Sequence, residues 1–118
     1  MQHYKRYDIK KVSINEVNNV IAINEVNNVI AINEYLIDLR AENEFKEGRL
    51  PNSINVPFLH MKDWASKNIR NVNTRIYLYC QNGARSVHAA SALRKMGFTS
   101  VIDLGGLNAY NGKLVNDN

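Results

Sequence analysis

Short runs of apolar and β-branched residues recur along the chain at YLIDLR (35–40), INVPF (54–58), RIYLYC (75–80) and TSVIDL (99–104). IKKVS (9–13) is a shorter candidate of the same kind. Runs of this length predict strands, because they are too short for a packed helix and rich in side chains that suit a pleated surface. Between them the hydrophobic spacing changes to a helical period: over 14–34, part of 42–47, about 59–67, 86–96, and a short piece near 107–113. Strands alternating with helices predict an α/β domain with a mostly parallel sheet. LPNS (50–53) and the pair Gly105–Gly106 read as turns, and Gly97 after Lys95 and Met96 as a helix stop.

The first helical segment contains a repeat. INEVNNVIA occupies 14–22 and recurs unchanged at 23–31, and INE (32–34) begins it again. Identity without drift marks either a recent slippage event or an engineered duplication. Ser13 and Glu16 form a capping box that opens the first copy, and Ile14, Val17, Val20 and Ile21 then share one helix face. Nine residues advance a helix by about 900°, half a turn out of phase. The equivalent stripe of the second copy (Ile23, Val26, Val29, Ile30) would therefore point the opposite way, and one straight helix cannot bury both against one sheet. Three arrangements resolve the conflict: one copy loops out and the other packs, the second stripe packs on another chain as a homodimer, or the insertion leaves the domain marginal. The Ser13 cap favours the first copy; the direct link into YLIDLR favours the second.

Composition adds bounds. A chain of 118 residues, 45% apolar and 22% charged, fits a single globular domain. No apolar run approaches the ~20 residues of a membrane span, and MQHYKRYDIKKV lacks the apolar core of a secretory signal. A single cysteine rules out an internal disulfide and a multi-cysteine metal site, which predicts a reducing, cytoplasmic setting. The formal charge of +4 suits small anionic ligands. The basic residues are scattered, without a Lys/Arg block or a base-stacking platform, which argues against nucleic acid as a partner.

That cysteine lies in YCQNGARS (79–86), between a predicted strand and a predicted helix. Ligands of open parallel sheets bind at the carboxyl ends of the strands. Successive loop N–H groups can converge on an anion there, and a helix starting near Ser86 adds roughly half a unit of positive charge. These dipoles favour a thiolate, the nucleophilic form. Gly83 permits a tight turn, and Arg85 supplies a permanent charge and a fork of donors.

Several motifs, in order over about residues 35–110, resemble those of single-domain rhodaneses, the thiosulfate sulfurtransferases. YLIDLR resembles the family strand ending in Asp-x-Arg, and ENEFKEGRLPNSINVPF resembles its E-x-[YF]-x-x-G-H-I-P-G-A-x-N-[IV]-P signature. CQNGARS resembles the active-site loop C-x-x-G-x-R-S, and VIDLGGLNAY the closing strand with its Gly–Gly–x3–Trp. Arg49, Asn52 and Tyr110 depart from the usual His, Gly and Trp. The resemblance implies a rhodanese-like α/β fold, a mostly parallel five-stranded sheet flanked by helices on both faces. It implies that Cys80 attacks the outer sulfur of thiosulfate or a persulfide donor and becomes a persulfide, which then passes its sulfur to a thiol or protein acceptor. Gln81, Asn82, Gly83, Ala84, Arg85 and Ser86 would bind the anion, with no metal or organic cofactor.

Two rival classes stand beside this reading. A cysteine phosphatase uses a similar loop but carries one residue more between Cys and Arg than the four here. A non-catalytic rhodanese-like interaction module often lacks the cysteine that this chain keeps. Among other polar residues, Asp38 and Arg40 read as an ion pair or turn-fixing device, His88 as exposed, and Arg49 as either a source of positive potential near the loop or a solvated charge. Trp64 reads with Met61 and Ala65 as the buried side of a short helix.

Overall fold

The computed structural model describes residues 9–20, 23–24, 29–30 and 34–117. Five strands form one sheet: β1 (Lys10–Lys11), β4 (Glu34–Asp38), β5 (Ile54–Asn55), β6 (Arg75–Cys80) and β7 (Ser100–Gly106). They lie in the order β1-β7-β6-β4-β5, and every pairing is parallel. Parallel pairing needs crossovers. Helices α2 (Glu42–Glu47), α3 (Met61–Asn68) and α4 (Ala84–Lys95) supply or lengthen them, with 3-10 turns at Phe58–His60 and Leu107–Ala109.

Strand β6 shows why this sequence makes a two-faced sheet. Ile76, Leu78 and Cys80 point into a core shared with Met61, Ala65 and Ile69 of the α3 region and Ala89, Ala90 and Leu93 of α4. Tyr77 and Tyr79 alternate to the opposite face and pack with Ile14, Val17, Leu36, Leu50 and Leu107. The period of two in an all-apolar strand thus serves two cores. Trp64 is partly buried and meets Tyr35 edge-on at 5.5 Å, and His88 is exposed, both as expected. Gly97 takes a φ of 106° at the end of α4, as its place after the helix requires. Asn52 takes a φ of 67° in the 50–53 turn, a conformation that asparagine tolerates.

The helix expected over 14–34 is not one helix. A 3-10 turn (Ile14–Glu16) leads into α1 (Val17–Val20), capped by Ser13, whose Oγ accepts from the Asn15 N–H at 3.3 Å. Within the second copy, β2 (Ile23–Asn24) and β3 (Val29–Ile30) are extended and pair antiparallel, Ile23 opposite Ile30 and Asn24 opposite Val29. The phase conflict accounts for the break, since a continuous helix would turn its second stripe away from the sheet. The homodimer expectation depended on a helical stripe that included Ile23, Val29 and Ile30, and these backbones are not helical. Val26, the fourth member, lies outside the described residues.

Gly105 and Gly106, expected as a turn, belong to β7. The ladder shifts there: Leu78 pairs with Asp103, but Tyr79 pairs with Gly105 and Cys80 with Gly106. The extra residue is a bulge, a device common beside functional sites.

Candidate active site

Cys80 ends β6, the strand flanked by β4 and β7, and is 3% exposed. Its neighbour Tyr79 anchors the strand end. The Tyr79 hydroxyl accepts from the Leu50 N–H at 3.1 Å and lies 3.0 Å from Ser53 Oγ. Burial and the nearby Asp38 charge push the Tyr79 hydroxyl well above its ordinary pKa, so it stays neutral at physiological pH.

After Cys80 the chain turns through Gln81, Asn82 and Gly83 into α4, which starts at Ala84, two residues earlier than the sequence suggested. Gly83 adopts φ 88°, a left-handed conformation that a side chain would resist. This turn aims the Gly83 N–H at Cys80 Sγ, 3.1 Å away. The Ala84 N–H donates instead to Asn82 Oδ1 at 3.0 Å, so the loop closes on its own side chain there. Ser86 is fully buried, and its Oγ donates to the Gly83 carbonyl at 3.2 Å. It braces the loop from beneath. Arg85 is exposed, with its guanidinium carbon 5.8 Å from the centre of the Phe58 ring.

A second wall holds the loop from the end of β7 and the 3-10 turn that follows it. The Asn108 N–H donates to the Gln81 carbonyl at 3.1 Å. A Cβ on Gly106 would stand 2.7 Å from the Asn82 backbone and 2.6 Å from Asn108 Oδ1, so the approach needs glycine. The bulge in β7 brings this glycine opposite Cys80.

Leu39, Arg40, Glu44, Cys80, Gln81, Asn82, Ala84 and Arg85 enclose a cleft of ≈ 270 Å³. Arg40 is nearly buried and lies against Asp38, Nη2 to Oδ2 at 2.8 Å, while its own N–H donates to Asp38 Oδ1 at 2.8 Å. Burial alone would lower the Arg40 pKa, but the Asp38 hydrogen bonds and charge outweigh it and raise it. Arg40 also donates to the Gly48 carbonyl and, at the long limit of 3.4 Å, to Gln81 Oε1. The ion-pair and turn-fixing role expected of Asp38 and Arg40 is therefore present, and the same arginine also lines the cleft. Arg49 is not the solvated charge that was one of the two expectations for it. It is half-buried, its Nη1 lies 2.6 Å from Asp117 Oδ1, it stacks over Phe45, and its backbone bridges Val115.

The six loop residues named from the sequence come together, but with different partners: Gly83 at the sulfur, Arg85 at the rim, Ser86 and Asn82 inside the loop. Glu44, Gly106 and Asn108 are the neighbours that sequence reasoning missed. Glu44 sits on a separate helix, and Gly106 gave a turn signal that did not reveal its contact with the loop.

The Rhodanese-like domain family profile matches residues 21–113, and the chain belongs to that family. It is 41% identical over 80 residues to the uncharacterized protein YqhL of Bacillus subtilis (strain 168), covering 67% of this chain and 62% of that one. It is 30% identical over 71 residues to thiosulfate sulfurtransferase PspE of Escherichia coli (strain K12), covering 60% of this chain and 68% of PspE. It spans less than half of several other relatives. The structure superimposes on a rhodanese with anions from E. coli with a TM-score of 0.65 at 27% identity, covering 71% of this chain and 99% of that one. Among the described residues, no helix is long and apolar enough to cross a membrane.

Proposed function

We propose that this chain is a sulfurtransferase that carries a sulfane sulfur as a persulfide on Cys80. The observation that carries the reading is the Gly83 N–H aimed at Cys80 Sγ from 3.1 Å, inside a cleft edged by Arg85 and Arg40. An N–H aimed at the sulfur can donate to the persulfide anion that the transfer forms there. The likeness to PspE supports thiosulfate as a donor, and a persulfide donor would serve the same chemistry.

The Cys80 thiolate attacks the outer sulfur of thiosulfate. A new S–S bond forms to Sγ, the bond to the sulfonate sulfur breaks, and its electron pair leaves with sulfite. Arg85 pairs with the sulfonate oxygens as sulfite departs. The Cys80 persulfide anion then rests beside the Gly83 N–H until a thiophile takes its terminal sulfur, returning the electron pair to Sγ. This is covalent catalysis in two half-reactions, and the residues it uses call for no metal or organic cofactor. A reactive thiol without a disulfide partner suits a reducing compartment, the cytoplasm.

Intact mass after incubation with thiosulfate tests the proposal. The parent is expected to gain one sulfur atom and lose it to cyanide as thiocyanate appears; Cys80→Ser is expected to gain none. A folded parent that gains nothing would make the chain an interaction module.

A further inference from the structure

Beyond the Cys80 cleft, α4 presents a second surface. Arg85, His88, Ala92 and Lys95 recur at three- and four-residue intervals and so share one face. No Asp or Glu occurs in α4, and Lys62 faces it from α3 across a groove of ≈ 460 Å³. The carboxylate of α3, Asp63, is engaged by Lys67 at 3.1 Å. Apolar side chains bracket the basic stripe. Leu59, next to the Phe58 that lies under Arg85, is 88% exposed, and Met96 at the far end is 36% exposed. Arg85 both lines the cleft and begins the stripe.

We propose that this groove docks the sulfur acceptor, and that the acceptor is a protein with an acidic surface around its thiol. The inference rests on the sulfur-transfer reading of Cys80. Size separates the acceptor's needs from the donor's: Arg85 to Lys95 spans about 15 Å of helix, far more than an anion such as thiosulfate can touch. Only a macromolecule can use both ends of the stripe. A positive groove leading to the cleft raises the encounter rate of an acidic partner, while Leu59 supplies an apolar contact near the mouth. In the transfer itself, the acceptor thiolate attacks the terminal sulfur of Cys80–S–S⁻. An S–S bond forms on the acceptor, the bond to Cys80 breaks, and the electron pair returns to Sγ, so no external oxidant or reductant is consumed.

The test uses Cys80 persulfide prepared with thiosulfate and freed of excess donor. Its sulfur is offered to cyanide and to two cysteine peptides of equal length, one rich in Glu and one rich in Lys, with rates expressed per thiolate. The Glu-rich peptide is expected to react at least ~10-fold faster at low ionic strength, with the ratio falling towards one as salt screens the charges. The double variant Lys62→Glu/Lys95→Glu should abolish or invert that preference while the cyanide rate stays within about twofold. Leu59→Ala should slow the peptide and spare cyanide. Equal rates for the two peptides, or a preference that survives the double variant, would overturn the docking proposal. Failure of Cys80 to load appears earlier, in the mass spectrum, and counts against the sulfur-transfer reading itself.

Discussion

In the first copy of INEVNNVIA, residues 14–20 coil into a short 3-10 and α-helical segment that buries Ile14 and Val17 to 2% and 3% exposure. In the second, Ile23–Asn24 and Val29–Ile30 run extended and pair with each other. The difference cannot come from within the nine residues. Ser13 precedes the first copy and caps it, whereas Ala22 precedes the second and has no side-chain acceptor for a helix start. Asn15 then ties the first copy to the other end of the chain: its Nδ2 donates to the Ala109 carbonyl at 2.9 Å, and its Oδ1 accepts from the Asn111 N–H at 2.7 Å. Once the sheet face under Tyr77 and Ile102 is covered by Ile14 and Val17, a second helical stripe half a turn out of phase has no site there. Local propensity is a weak prior that tertiary context overrides.

Paired substitutions at equivalent positions can break this contrast. Ile14→Ala should cost about 2–5 kcal/mol in urea unfolding, as for a buried aliphatic side chain. Ile23→Ala should cost under about 1 kcal/mol, because a two-stranded pair outside the main sheet adds little stability. Equal losses would mean that both copies share the packed site. Asn15→Ala should cost about 1 kcal/mol for its lost hydrogen bonds, and Asn24→Ala close to nothing. Removing nine residues should also have a small effect. Deleting either copy yields the same chain, so this version tests the insertion as a whole. The shorter connection should change stability by less than about 1 kcal/mol and leave Cys80 loading by thiosulfate within about twofold, since the loop hangs from β6, α4 and β7. A large change in loading would show that the inserted segment reaches the site.

Read alone, the sequence determined the alternation of strands and helices, the five strands of the sheet, the family, and the loop around Cys80. These are properties of local period, turn residues and motif order, which a linear reading can detect. Only the tertiary structure decided that the first copy of an identical repeat coils and buries Ile14 and Val17 while Ile23–Asn24 and Val29–Ile30 of the second run extended, because the first copy's site depends on Ser13 and on Asn15 reaching Ala109 and Asn111. It likewise decided that Gly106 belongs to a bulged strand. The bulge sets that glycine against Asn82, and the register shift behind it exists only once β6 and β7 are paired. Arg49 left its expected surroundings for the same reason: Val115 and Asp117 lie far along the chain, and no period or motif marks a contact made only by folding.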